Sequence, residues 1–231
     1  MTGEPDPRRE SPSPLSQTMR ELVSKETWAD FRRQSFERTH RRGEVLLQQG
    51  REGTHVLAVL SGLTKVEHTA RNGSVNLLAF RGPGELLGEL ATMGRCGRLA
   101  SVTALSPCRV AVMHKAAFTK FVSDNDLYPA LLGFAQARLR ESTPDDAGPG
   151  YRLAATLVRV ADILVESGDD AGRPLALPLK REELANYLDT HRKSVGSQLE
   201  GLRRFGVRTR RLSIVIEDLS ALRQGLEALR E

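Results

Sequence analysis

Residues 190–211 read THRKSVGSQLEGLRRFGVRTRR and combine a short apolar stripe with a dense basic surface. Val195, Leu199 and Leu202 recur at positions i, i+4 and i+7, the spacing that places side chains on one face of an α-helix. Arg192 and its neighbours then project from the other faces. A helix of this kind has the shape and charge to lie in a groove of DNA.

The positive charge of the chain is concentrated around this stretch. The window 180–211 holds nine Lys or Arg and four Asp or Glu, so its net charge equals the +5 of the whole chain. Such a local excess is the electrostatic footprint of a surface that binds phosphates. The structural alternative is a solvated face, which is the commoner meaning of a charge run taken alone.

The neighbouring sequence makes the basic helix part of a larger motif. Residues 180–188 predict a first helix, residues 189–190 a short turn, and Gly206 the end of the second helix. Two short helices joined by about three residues form a helix-turn-helix. The following residues, RRLSIVIEDL, alternate in polarity and predict a β-wing whose inner face carries Leu212, Ile214 and Ile216.

Composition and motifs exclude several classes of protein. No run approaches the roughly 18 apolar residues of a membrane helix, and no secretory signal core is present, so we expect a cytoplasmic protein with no membrane partner. Cys96 and Cys108 lack a CxxC partner, which predicts ordinary packing thiols and no metal. No P-loop, HExxH, Ser-His-Asp order or paired carboxylates occur in context, so we expect no catalytic residue and no enzyme.

Four segments follow one another along the chain. Residues 1–17 are rich in Pro, Ser and charge and predict a flexible tail. Short apolar runs punctuated by glycines predict an all-β barrel within residues 18–123. Residues 124–147 predict a long helix and a hinge, and residues 148–231 predict a second domain built on the helix-turn-helix and wing. The expected fold class is therefore α+β.

Two local patterns add detail to this division. Asn72-Gly73, between two apolar runs, is typical of a type I′ hairpin. From residue 115 to 140 one helical pattern continues. The positions near heptad spacing are Leu127, Leu131, Phe134 or Ala135, and Arg138 or Leu139. A stripe of this length needs a cover, which is either the same helix of a second chain or the protein's own barrel.

Three motifs, in this order, carry a resemblance to a known family. They are HRRGEVLLQQGREGTHVLAVLSGLTKV at 40–66, GPGELLGELATMGRCGRLASVTAL at 82–105 and LKREELANYLDTHRKSVGSQLEGLRRFGV at 179–207. The chain resembles the bacterial cyclic-AMP receptor protein and Fnr family of transcription regulators over nearly all of its length after the tail. The resemblance implies a cyclic-nucleotide-binding jelly roll, a dimerisation helix and a winged helix-turn-helix. It also implies a homodimer on palindromic promoter sites of double-stranded DNA, with RNA polymerase as a further partner if the protein activates transcription.

The resemblance assigns a phosphate-binding cassette. Gly88-Glu89-Leu90 matches its first piece, which implies that the Glu89 carboxylate accepts a hydrogen bond from the ribose. Arg98 holds the position of the arginine that pairs with the cyclic phosphate. Leu99 stands where the family has a hydroxyl, so one donor to the phosphate is lost. The hydroxyls that contact adenine align with Ser142 and Thr143, although the following proline disfavours a helix there.

These departures leave the ligand open between cyclic AMP, another cyclic nucleotide and no ligand. An internal ion pair between Glu89 and Arg98 is the structural alternative to a ligand site, and Arg95 is an alternative phosphate partner. The Fnr branch holds an iron-sulfur centre on N-terminal cysteines, which this tail lacks, so no metal is expected. Two alternative functions follow: a regulator that works without cyclic AMP, and a sensor whose helix-turn-helix binds protein.

The resemblance also assigns contacts to DNA. Arg192 takes the place of an arginine that contacts the O6 and N7 atoms of guanine. Lys193 replaces a glutamate acceptor and Ser197 replaces a second arginine, so the preferred base sequence differs from that of the cyclic-AMP receptor protein. The remaining contacts, to phosphates and from the wing, are assigned to Lys180, Thr190, His191, Ser194, Arg208, Arg210 and Arg211.

Overall fold

The structure is a computed structural model that describes residues 17–94, 96–141 and 148–229, so most of the predicted tail lies outside it. The described residues of the N-terminal part form eight strands, which are β1 (Phe36–His40), β2 (Val45–Leu47), β3 (His55–Ser61), β4 (Thr64–Thr69), β5 (Val75–Arg81), β6 (Leu86–Leu87), β7 (Ser101–Ala104) and β8 (Cys108–His114). Its described helices are α1 (Met19–Leu22), α2 (Lys25–Arg33), α3 (Glu89–Met93), α4 (Lys115–Asp124) and α5 (Tyr128–Glu141).

The eight strands form two antiparallel sheets. One sheet has the order β1-β8-β3-β6 and the other β2-β7-β4-β5. Alternation along β3 explains why the first sheet buries both of its faces: Leu57 and Val59 point into the core between the sheets, whereas Val56 and Ala58 pack under helices. Apolar runs rather than strict alternation in the sequence reflect this double burial. The predicted jelly-roll architecture and the α+β class are confirmed.

The helices α1, α2, α4 and α5 cover the outer face of the first sheet. Phe31 lies 5.6 Å from Phe121, ring centroid to centroid, in an edge-to-face arrangement. The single helix predicted for residues 115–140 is wrong, because the chain breaks between α4 and α5 at Asp126, whose φ is +47°. Leu131 and Phe134 of α5 are buried in the same cluster, so this stripe is covered by the protein's own barrel.

The hairpin between β4 and β5 also differs from its prediction. The connection spans residues 70–74, and the Ala70 N–H donates to the carbonyl of Ser74. Gly73 has a positive φ of 83°, but Asn72 is not among the residues with positive φ. A type I′ turn needs positive φ at both central residues, so the hairpin is a five-residue loop closed by one left-handed glycine.

The C-terminal part is a small helical unit with a three-stranded sheet. Its elements are α6 (Pro149–Glu166), β9 (Leu175–Leu177), α7 (Arg181–Tyr187), α8 (Arg192–Gly201), a 3₁₀ turn (Leu202–Phe205), β10 (Val207–Thr209), β11 (Ile214–Ile216) and α9 (Leu219–Ala228). Both partners of the helix-turn-helix lie where the sequence predicts them, and the helical run ends at Gly206, whose φ is 77°. Ile214 and Ile216 are buried as predicted, whereas Leu212 is 58% exposed.

The C-terminal unit packs against the edge of the barrel. Asn186 on α7 forms two hydrogen bonds with the outermost strand β5: its side-chain oxygen accepts from the Leu77 N–H, and its amide nitrogen donates to the Val75 carbonyl at 2.6 Å. The Lys65 ammonium on β4 lies 2.9 Å from the Glu183 carboxylate on α7. These contacts fix the position of the helix-turn-helix relative to the β sheets.

The remaining expectations concern the cysteines and membrane segments. Cys108 is buried, as expected of a packing thiol, but Cys96 is exposed, so that prediction is wrong for one of the two. None of the described helices is both long enough and apolar enough to cross a membrane. Within residues 17–94, 96–141 and 148–229, no three His, Cys, Asp or Glu side chains are grouped to hold a metal ion.

Candidate functional site

The predicted cassette is organised around a glycine at the junction of β6 and α3. Gly88 has a φ of 83° and precedes the first residue of α3. A Cβ at this position would lie 1.9 Å from Nη1 of Arg98, which is far inside a contact distance. The left-handed backbone and the close approach therefore both require glycine here.

Arg98 is buried against backbone carbonyl groups. Its Nη1 donates to the Gly88 carbonyl at 2.9 Å, and its Nη2 donates to the His55 carbonyl at 2.6 Å. The residue is only 5% exposed. Burial lowers the pKa of the Arg98 guanidinium, and the nearby Glu89 carboxylate opposes that shift. The side chain thus brings a charge into the cassette while it holds the cassette backbone together.

The same two carbonyl groups also bind a threonine that the sequence did not reveal. The hydroxyl of Thr92, on α3, lies 2.9 Å from the Gly88 carbonyl oxygen and 3.1 Å from that of His55. Thr92 is 1% exposed. A threonine four residues after a cassette glycine has no distinctive pattern, so only the fold assigns it this position.

Glu89 pairs with a residue from the helix α5 rather than with Arg98. Its Oε1 lies 2.8 Å from Nη1 of Arg138, and the same guanidinium lies 3.2 Å from Glu85 and 4.1 Å from the centre of the Phe134 ring. The predicted structural alternative, an ion pair between Glu89 and Arg98, is therefore wrong in its partner. Arg138 was seen in the sequence only as a position within the apolar stripe of a helix.

The other predicted cassette residues do not point into this cluster. Leu90 and Leu99 are 51% and 57% exposed, so their side chains lie at the surface. Leu99 offers no hydrogen-bond donor. Ser142, Thr143 and the alternative partner Arg95 lie outside the described residues. The structure therefore brings together Gly88, Glu89 and Arg98 and adds Thr92 and Arg138.

The second predicted site is the outer surface of α8. Val195 and Leu199 are at most 2% exposed and pack in the core of the C-terminal unit, together with Leu202 of the following turn. The residues on the opposite side are exposed, namely His191, Arg192, Lys193 and Ser197. Thr190 and Ser194 are half-buried at the start of the helix. Because the apolar face of α8 is buried in the core, the basic face on the other side of the helix is exposed to solvent.

Arg192 has a partner on the preceding helix. Its Nη1 lies 2.9 Å from the carboxylate of Glu182 on α7, and both side chains are about two-thirds exposed, at 66% and 65%. Exposed pairs of this kind contribute about 0–1 kcal/mol. Glu182 therefore orients the guanidinium without holding it firmly.

The wing and the first helix supply further cations. Arg208, Arg210 and Arg211 are exposed on and beside the β10–β11 hairpin, and Arg208 lies 3.3 Å from Glu217. Lys180, just before α7, is exposed, and its backbone N–H donates to Glu183 at 2.9 Å. Because cations occur on the wing, on α8 and before α7, the C-terminal unit offers several separate points for phosphate contacts.

Comparison with known proteins agrees with both halves of this description. Residues 37–125 match the cyclic nucleotide-binding domain and residues 151–224 match the Crp-like helix-turn-helix domain. Over 191 residues the chain is 27% identical to the CRP-like cAMP-activated global transcriptional regulator of Mycobacterium tuberculosis. The alignment covers 78% of this chain and 84% of that protein.

Solved structures share the fold at lower identity. FixK2 from Bradyrhizobium japonicum superposes with a TM-score of 0.66 at 19% identity, covering 85% of this chain and 98% of that one. A transcriptional regulator of the CRP/FNR family from Thermus thermophilus gives a TM-score of 0.64 at 23% identity, covering 85% and 100%. The order of domains, the two domain matches and the related regulators lead to one conclusion. This chain belongs to the cyclic-AMP receptor protein and Fnr family of bacterial transcription regulators.

Proposed function

We propose that this regulator is a cytoplasmic homodimer that binds DNA sequence-specifically and changes its DNA affinity when a nucleotide binds in the β barrel. The observation that carries the proposal is the second helix of the helix-turn-helix. Its apolar face is buried, while Arg192, Lys193 and Ser197 are exposed on the other side. A helix with this division can enter the major groove without uncovering its core.

Base recognition is assigned to the start of α8. The planar fork of Arg192 fits the two acceptors of guanine, and in binding it would exchange Glu182 for the base. Lys193 donates but cannot accept, which disfavours cytosine at the neighbouring position. The predicted phosphate contacts are Lys180, Thr190, His191, Ser194, Arg208 and Arg210, which set register and salt dependence rather than sequence preference.

Dimerisation is assigned to the outer face of α5. The inner stripe of this helix is covered by the barrel, but Tyr128, Leu132 and Leu139 are exposed by 50%, 61% and 72%. With the half-buried Ala135 they are spaced by four, three and four residues, which is the heptad pattern of a helix that pairs with a second helix. Two copies of α5 packed in this way would place two α8 helices for a palindromic site.

The residues present fit an anionic nucleotide in part. Gly88 has no side chain between its backbone and a ligand. Arg98 is a buried cation that would hold a phosphate, and Glu89 is a buried acceptor that would hold a ribose hydroxyl. Each of the two charged groups is engaged within the protein. A phosphate would have to draw Arg98 away from the Gly88 carbonyl, and a ribose hydroxyl would compete with Arg138 for Glu89.

That competition favours a second candidate, a regulator that binds DNA without cyclic AMP. The cassette is satisfied internally, because Arg98 and Thr92 bind the same carbonyls and Arg138 binds Glu89. Leu99 supplies no donor in exchange. Under this candidate the barrel keeps the family's architecture but needs no cyclic nucleotide to fix its shape.

The DNA-binding proposal is tested by selection from random duplexes followed by titration with the enriched sequence. We expect Arg192→Ala to weaken binding of that sequence by about 1–3 kcal/mol, or roughly 5- to 150-fold, and to relax selectivity at one base pair. Arg203→Ala is the matched control, because Arg203 is exposed and pairs with Glu200 but is not assigned to a base. Enrichment of no sequence would overturn the proposal and favour a helix-turn-helix that binds protein.

The ligand is tested by calorimetry with cyclic AMP, cyclic GMP and cyclic di-GMP. We expect at least one to bind wild-type protein and to lose affinity in Arg98→Ala, since the guanidinium is the buried cation of the cassette. Retention of tight DNA binding with no nucleotide bound would support the ligand-independent candidate instead.

A further inference from the structure

Six charged side chains of alternating sign form a continuous chain inside the molecule. In spatial order they are Glu89, Arg138, Glu85, Arg81, Glu141 and Arg159. The first lies in the nucleotide cassette and the last lies on α6 of the DNA-binding unit. Three cations and three carboxylates alternate, so each interior member lies between two groups of opposite charge.

The half of this ion-pair chain that is nearest the cassette lies within the barrel. Arg138 lies 2.8 Å from Glu89 and 3.2 Å from Glu85. Glu85 in turn lies 3.7 Å from Arg81, at the end of β5. The Glu85 carboxylate therefore divides its two oxygens between Arg138 and Arg81.

The other half crosses from the barrel to the DNA-binding unit. Nη2 of Arg81 lies 2.6 Å from one oxygen of Glu141, the last described residue of α5. The second oxygen of Glu141 pairs with Arg159, in the middle of α6. Glu141 thus links β5 of the barrel to the helix on which the DNA-binding unit is built.

Because its side chains are largely buried, the ion-pair chain is sensitive to a change at any one of its six charged groups. The side chains of Arg81, Glu85, Glu89 and Glu141 are 5–11% exposed, and those of Arg138 and Arg159 are 22% and 20% exposed. Burial lowers the pKa of Arg81, but the Glu85 and Glu141 carboxylates outweigh it and raise that pKa overall, which keeps the guanidinium charged. Water screens such pairs poorly, so losing one partner leaves a neighbour with an uncompensated charge.

We propose that this ion-pair chain couples the cassette to the docking of the DNA-binding unit. A hydroxyl that binds Glu89 shifts Arg138 toward Glu85, which loosens the hold of Glu85 on Arg81. Arg81 then draws more strongly on Glu141, at the expense of Arg159. The element with two arrangements is the C-terminal unit, docked or released at β5 through Asn186 and Glu183.

The coupling is reciprocal, so release of the DNA-binding unit must also change the cassette. The inference rests on the proposed ligand-modulated function but can be tested without ligand or DNA. The test is hydrogen exchange of the full chain in wild type, Glu89→Gln, Glu141→Gln and the double variant. Both substitutions keep the shape of the side chain and remove its charge.

We expect Glu89→Gln to raise exchange of the α6 amides around Arg159 by roughly 3- to 30-fold relative to those of β8. In the Glu141→Gln background the same substitution should have no further effect on α6, because the ion-pair chain is already interrupted at Glu141. Normalising to β8, in the centre of the first sheet, separates this response from a general loss of stability. Glu37→Gln is the control, since it removes a carboxylate from a barrel ion pair outside the chain.

Three results would overturn the proposal: unchanged α6 exchange, an effect of Glu89→Gln that persists in full in the Glu141→Gln background, or an equal response to Glu37→Gln. Failure of the proposed function gives a different signature. If none of the three cyclic nucleotides binds in calorimetry but the exchange effects are non-additive, ligand modulation is wrong and the coupling stands.

Discussion

Gly62, in the turn between β3 and β4, shows how a single backbone position limits the sequence. Its φ is 97°, and a Cβ would lie 2.4 Å from the carbonyl oxygen of Pro107. We expect Gly62→Ala to lower the free energy of unfolding by about 3 kcal/mol, from left-handed strain together with overpacking. Urea denaturation measures this loss.

Gly201, at the end of α8, is the matched control for that substitution. It has helical dihedrals of −61° and −31°, and a Cβ there would meet nothing within 4 Å. Gly201→Ala should stabilise the protein by about 0.5–1 kcal/mol, because it restricts the unfolded chain without creating a clash. Equal destabilisation by both substitutions would contradict the backbone argument.

Because the Cys108 thiol is buried, we expect the free energy of unfolding to depend on pH in the alkaline range. Burial raises the pKa of Cys108 from 9.0 to about 11, and hydrogen bonding with Ser106 opposes that shift only in part. Below pH 9 both the folded and unfolded states carry the neutral thiol. Between about 9 and about 11 the unfolded state loses the proton and the folded state keeps it, so stability falls as pH rises.

This pH effect is measured by urea denaturation across the alkaline range in wild type and Cys108→Ala. Lysines and tyrosines titrate in both proteins, so their contributions cancel in the difference. We expect the stability of the wild type to fall more steeply, by on the order of 1–2 kcal/mol over that interval. Parallel curves would show that the thiol has no raised pKa.

The contact between α7 and β5 is an interaction between two elements that depends on one side chain. Asn186 both accepts from Leu77 and donates to Val75, as a neighbouring strand would. Asn186→Ala should cost about 1 kcal/mol in urea denaturation and increase the radius of gyration in X-ray scattering, because α7 loses its anchor on the edge strand. Asn186→Asp should release α7 as well, since a carboxylate cannot donate to Val75.

A substitution in the turn of the β4–β5 hairpin is the control that separates docking of α7 from the stability of the barrel. The Asn72 side-chain oxygen accepts hydrogen bonds from the backbone N–H and the hydroxyl of Ser74, within the β4–β5 turn. Asn72→Ala should therefore leave the radius of gyration unchanged even if the turn is weakened. An unchanged radius in Asn186→Ala and Asn186→Asp would show that the remaining contacts, such as Lys65 with Glu183, are enough to dock α7.

At the scale of the whole molecule, the proposed homodimer depends on the outer face of α5. Leu132 lies at the centre of its exposed heptad stripe and is 61% exposed. Leu132→Glu should convert a dimer into a monomer in analytical ultracentrifugation, because a carboxylate would be buried opposite its own symmetry mate. Leu212→Glu changes an equally exposed leucine on the wing and should leave the dimer intact. A monomeric wild type would remove the basis of a palindromic DNA site.

Local patterns predicted much of this architecture. The helix-turn-helix is readable because three apolar residues at helical spacing and a terminating glycine act over a few residues. The cassette residues Gly88, Glu89 and Arg98 were assigned through the family resemblance of residues 82–105. The break at Asp126 was missed although the sequence marks it, because residues 123–126 are all polar and Pro129 follows at the start of the next helix.

What the sequence determined by itself was therefore the order of the elements and the chemistry of each surface. Which charged groups meet was decided only by the tertiary structure. Arg138 and Glu89 are separated by 49 residues, and Asn186 and Val75 by 111. Hydrophobic periodicity carries no information about such pairs, because an ion pair or an amide clamp forms only after packing has brought two distant segments together and excluded water from between them.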